Sequence, residues 1–62
     1  MKSLPELIED FKRDLLAGYL DQLEDDQWAF FKRLWPGTVP TDQLDTAINL
    51  CQMTIRKNNE GT

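Results

Sequence analysis

The side chains able to do chemistry are few in this 62-residue chain, and they do not converge. Four carboxylates, Asp21, Glu24, Asp25 and Asp26, fall within six positions, and hard divalent cations take oxygen ligands of this kind. The run lacks the alternate-position ligands, turn glycine and distal glutamate of a calcium loop. It fits a helix start better, because carboxylates favour the open amides of a first turn. Cys51 is the only thiol and there is no histidine, which excludes a Ser-His or Cys-His dyad, an intrachain disulfide and a Cys/His zinc site. Gly18, Gly37 and Gly61 are scattered and form no phosphate loop. These residues predict no catalytic site, no metal site and no cofactor.

What the chain has in abundance is apolar bulk at short spacing. Trp28, Phe30, Phe31, Leu34 and Trp35 fall within eight positions, immediately before Pro36-Gly37. A domain this small buries only about 60% of its unfolded surface and needs a disulfide, a metal or a second copy to be comfortable. The first two are missing, which leaves oligomerisation. Phe31, Leu34 and one tryptophan fit a core made by neighbouring helices, and the rest of the cluster exceeds what such a monomer covers.

The pattern that positions these residues is helical throughout, with no strand-like alternation and no repeat. Ser3-Leu4-Pro5-Glu6 has the S-x-x-E form of a capping box with proline in the first turn, so helix 1 is predicted over residues 4 to 22. Its face of Leu4, Leu7, Ile8, Phe11, Leu15, Gly18 and Tyr19 is extended by Leu16, Leu20 and Leu23 to an arc of about 220°, wider than one packing contact requires. Gly18, inside that arc, marks either a close helix crossing or a weak point.

Helix 2 is predicted over 25 to 35, with Glu24 or Asp25 at the cap, Gln27 at the third position and Leu23 and Trp28 spaced as a hydrophobic staple. Pro36 disfavours helix at Trp35, and the loop through Val39 and Pro40 is pinned to the core by Val39. Thr41 is expected to cap helix 3, predicted over 42 to 57, with Leu44, Ala47, Ile48, Cys51 and Ile55 on its apolar stripe. Cys51 reads there as a small buried hydrophobe. Residues 1–2 and 58–62 are expected to fray. The expected fold class is all-α: one domain, three short helices in a small bundle completed by homodimerisation.

Seven basic against eleven acidic residues give net charge -4, which opposes general attraction to a phosphate backbone. Apart from Lys2, the basic residues come as the pairs Lys12-Arg13, Lys32-Arg33 and Arg56-Lys57, the last two near predicted helix C-termini where positive charge complements the macrodipole. A helix-turn-helix reading would start its recognition helix at Thr41-Asp42-Gln43-Leu44-Asp45, with two carboxylates where phosphates must lie. Lys2 is followed by Glu6, Glu9 and Asp10 rather than an apolar run, and no stretch approaches a membrane span. A single unpaired cysteine fits a reducing compartment, so a soluble, cytoplasmic protein is expected.

The segment Gln27-Trp28-Ala29-Phe30-Phe31-Lys32-Arg33-Leu34-Trp35-Pro36-Gly37 resembles the small helical proteins encoded by lambdoid bacteriophages in the early region between the exonuclease and excisionase genes. The resemblance covers most of the chain by overall character and carries no diagnostic motif. It implies a phage early protein acting in the host cytoplasm, and it supplies no catalytic residues.

Taken together, the residues predict a non-enzymatic interaction module. It is expected to pair with itself, and with an unidentified protein, through Leu16, Leu20, Leu23, Trp28, Phe30, Phe31 and Trp35. A nucleic-acid-associated regulator, by DNA binding or by DNA mimicry, is the alternative.

Overall fold

A computed structural model describes residues 1–61 and contains three α-helices: α1 (Leu4–Asp21), α2 (Asp25–Leu34) and α3 (Leu44–Glu60), the last entered through a 3-10 turn at Thr41–Gln43. The all-α fold class is as the sequence predicts, and there is no strand among the described residues. No described helix is long and apolar enough to cross a membrane.

The helix boundaries follow from local chemistry. Pro5 occupies the first turn of α1, where a missing N–H costs nothing. The Ser3 capping box does not form as expected: the Ser3 carbonyl accepts from the Leu7 N–H at 3.0 Å, while its hydroxyl turns to Glu6 Oε1 at 3.4 Å. In α2 the Gln27 half of the box closes, with the Glu24 N–H donating to Gln27 Oε1 at 3.0 Å. Trp35 sits at φ -130°, ψ 85°, outside helical space, as a residue before proline should. Thr41 does not cap α3. It opens the 3-10 turn, which the Gln43 N–H closes onto the Pro40 carbonyl at 2.9 Å.

Side-chain pairs give the packing direction. Lys12 meets Asp45 at 2.8 Å and Gln52 Nε2 donates to the Tyr19 hydroxyl at 3.1 Å, so α1 and α3 run the same way. Gln27 pairs with Asn58 and Trp35 with Gln43, so α2 runs against α3. The core lies between them, made by Leu16, Phe31, Val39, Leu44, Ala47, Ile48 and Cys51. Val39 pins the loop as expected. Most of this core comes from α3, because Ala47 and Cys51 are small enough to let its neighbours approach.

Two expectations about helix 1 and helix 3 are corrected. Leu16, placed on a second, interfacial side of α1, is the one buried residue of that helix. The side that reads as its core face, Leu4, Leu7, Ile8 and Phe11, is exposed. The cause lies in polar residues about one turn apart on the Leu16 side: Glu9, Lys12 and Arg13 bond across to the joint and to α3, which turns the helix by about 70° from the centre of its apolar arc. Helix α3 continues to Glu60, three residues beyond its expected end, and Asn58 within that stretch is held by Gln27. Thr62, expected to fray, lies outside the described residues.

Candidate functional site

The aromatic segment was the candidate surface, and α2 divides it by direction. Phe31 points inward and is buried, with the Trp35 ring packed on it at 4.9 Å between centroids and tilted 44°. Trp35 is half-buried, and its indole N–H donates to Gln43 Oε1 at 2.6 Å, closing the joint between α2 and the 3-10 turn. Leu20 and Leu23 are half-buried against the core. Among the seven predicted interface residues, Leu16 and Phe31 are therefore interior and unavailable to a partner. Trp28 and Phe30 remain open, at 47% and 54% exposure.

Leu34, assigned to the core from sequence, is exposed beside them. Trp28 and Phe30 leave α2 on opposite sides of the buried Phe31. The ammonium of Lys32, one turn on from Trp28, sits 5.6 Å from the Trp28 ring centroid and shields that side with charge.

Phe30 instead borders a groove of about 370 Å³ between α2 and α3, lined by Leu23, Phe31, Leu50, Cys51 and Thr54, with Asp26 and Gln27 at its rim. Its volume is at the small end of ligand sites, but its polar rim is one carboxylate and an amide already engaged with Asn58. Cys51 is buried within the core, and desolvation pushes its thiol above the ordinary value, away from the reactive thiolate. The groove thus offers packing and no nucleophile.

The carboxylates Asp21, Glu24, Asp25 and Asp26 are exposed around the start of α2, where Asp25 and Asp26 occupy the first turn. Among the described residues no group of three His, Cys, Asp or Glu is placed to hold a metal ion.

Sequence reasoning missed a polar clamp. Arg13 donates to the Val39 carbonyl at 2.9 Å, to Glu9 Oε2 at 3.3 Å and to Thr41 Oγ1 at 3.5 Å, while the Thr41 hydroxyl donates to Glu9 Oε1 at 2.7 Å. The Thr41 hydroxyl and then Arg13 hold the Glu9 carboxyl below its usual range. The clamp ties α1 to the joint before α3. Its only sequence signal is that Glu9, Arg13 and Leu16 share one side of a helix, a pattern that ordinarily marks solvated charge.

It missed the open stripe as well. Leu4, Leu7, Ile8 and Phe11 form the most exposed large-apolar run of the described chain, and Gly18 extends its direction with nothing within 4 Å of where a Cβ would stand. Gly18 is therefore not a crossing point within the protomer. Comparison with known proteins returns no match to a family model, to a curated protein or to a solved structure.

Proposed function

We propose that this protein is a small non-enzymatic interaction module that acts as a homodimer and, in that form, engages another protein. The observation that carries this reading is surplus surface. A folded monomer of 7.2 kDa should expose about 4,100 Å², and this one exposes 4839 Å². The surplus, roughly 700 Å², is close to the roughly 800 Å² that each partner buries in a standard interface. The shape agrees: the radius of gyration is 12.6 Å, against about 10.6 Å for a compact chain of this length.

The resemblance of residues 27–37 to lambdoid early proteins supplies the setting, a phage-encoded protein in the host cytoplasm that modulates host or phage development. Charge supports a protein rather than a nucleic acid as the further partner. Net charge is -4, and Lys12 and Arg13, the one basic pair away from a helix C-terminus, are spent on Asp45, Glu9 and Val39.

Thermal unfolding over a range of protein concentrations tests the assembly, because the midpoint of a dimer rises with concentration and that of a monomer does not. Chromatography on duplex DNA tests the rival class. Retention that falls steeply with salt favours a nucleic-acid-associated regulator, and passage at low salt favours the interaction module.

A further inference from the structure

We infer that the two-fold seam of the dimer is the exposed stripe of α1, with Leu4, Leu7, Ile8 and Phe11 packed against the same stripe of a second copy, and not the aromatic face of α2. This rests on the dimer reading above and names the surface that reading requires.

The stripe has the spacing of a helix-pairing face, since positions 4, 7, 8 and 11 fall on one side at three- and four-residue steps. Its members are 69, 52, 46 and 66% exposed. Together they offer roughly 400–450 Å² of apolar surface, enough with a polar rim to account for an ordinary half-interface.

It is also accessible. Helix α1 begins before its parallel neighbour in space: Lys12 is level with Asp45, the second residue of α3, so the first two turns of α1 meet only the 3-10 turn and the start of α3, on the side of Glu9. Among the described residues no element lies over the stripe's outer side.

Charge at its edges favours a second copy as the occupant. Beside the stripe, Asp10 is paired with Lys2 on one flank and Lys12 with Asp45 on the other. Asp14, next to Leu7 on the Asp10 flank, adds one exposed carboxylate that is in no ion pair among the described residues, so a second copy meets that single charge and otherwise little repulsion. The α2 face carries two such carboxylates, because Asp25 and Asp26 precede Trp28 and Phe30 with no basic partner in an ion pair among the described residues.

The stripe also fits itself. It runs from Leu4 to Gly18, and a two-fold axis through its midpoint at Phe11 sets each Phe11 against its copy, Leu7 against the open edge of the half-buried Leu15, Leu4 over the bare backbone of Gly18, and Ile8 beside Asp14 at the rim.

Three measurements on the full chain test this. Wild-type protein mixed from 13C-labelled and unlabelled chains should give inter-protomer NOEs at Leu4, Leu7, Ile8 and Phe11. Leu7→Glu/Phe11→Glu should raise the dimer dissociation constant by at least about 100-fold, since two buried apolar side chains are lost from each protomer. Phe30→Glu/Leu34→Glu should leave it within about 3-fold. Inter-protomer NOEs confined to Trp28, Phe30 and Leu34 would overturn the α1 seam while leaving the dimer reading intact. A wild type that stays monomeric would overturn both, and binding of that monomer to phosphatidylcholine vesicles would assign the stripe to a lipid surface instead.

Discussion

Gln27 and Asn58 hold each other by two hydrogen bonds, Gln27 Nε2 to Asn58 Oδ1 at 2.8 Å and Asn58 Nδ2 to Gln27 Oε1 at 2.9 Å. The pair joins the first turn of α2 to the last turns of α3, and the same Gln27 oxygen receives the Glu24 N–H. One amide therefore caps one helix and anchors another. Asn58→Ala should cost about 1–2 kcal/mol, because it leaves part of a half-buried amide without its partner. Urea denaturation reads the loss, and amide exchange should accelerate from residue 56 onward. Unchanged exchange there would show that α3 reaches Glu60 on its own propensity.

Phe31 and Phe30 are neighbours with opposite fates. Phe31→Ala opens a cavity under Trp35 and should cost about 3–5 kcal/mol, most of the roughly 3–9 kcal/mol that a chain of this length holds. Phe30→Ala removes a half-exposed ring and should cost under about 1 kcal/mol. Circular dichroism under urea separates them. Equal losses would place Phe30 in the core or the seam, contrary to the arrangement described.

Glu9 gives the fold an acid-sensitive contact. Its carboxyl is held below the ordinary value of 4.5 by Thr41 and Arg13, so between that value and its folded one the unfolded chain binds more protons than the native chain. The stabilisation is complete above about pH 4.5 and is lost as pH falls from there through the folded value. Glu9→Gln should be less stable than wild type at neutral pH, and its stability should decline less steeply on acidification. Parallel declines in the two proteins, followed by urea midpoints at stepped pH, would remove Glu9 from the acid response.

Gly18 is a weak point of α1 with open space around it. Gly18→Ala, made in the Leu7→Glu/Phe11→Glu background so that no seam contributes, should stabilise the protein by about 1 kcal/mol through helix propensity and a less free unfolded chain. In the proposed dimer the same change should weaken association, because the added methyl meets Leu4 of the partner. A gain in both backgrounds would place the seam away from Gly18.

Much of this architecture is written locally, and that part was legible. Pro36 forces Trp35 out of the helix, Pro5 starts α1, Gln27 closes the α2 cap, and the Leu44, Ala47, Ile48 and Cys51 stripe specifies the inner side of α3. The inner side of α1 was not legible. Its apolar arc spans both Leu16 and Leu7, and periodicity gives the centre of such an arc without saying which part packs within the protomer. The choice is made by Glu9, Lys12 and Arg13, whose partners Thr41, Asp45 and the Val39 carbonyl lie more than two dozen residues away. Thr41 was misread for the same reason: its hydroxyl had a local role available and took a distant one. The surface that remained open was consequently the one that looked most like core.

The central claim is that the protomer in this structure is half of the functional unit. Sedimentation equilibrium from about 1 to 100 µM tests it most directly, because self-association is read as mass without reference to any partner. The expected result is a species of 14.4 kDa, twice 7.2 kDa, that dissociates toward 7.2 kDa when Leu7 and Phe11 are replaced by glutamate. A well-folded wild type that sediments at 7.2 kDa across that range would contradict it.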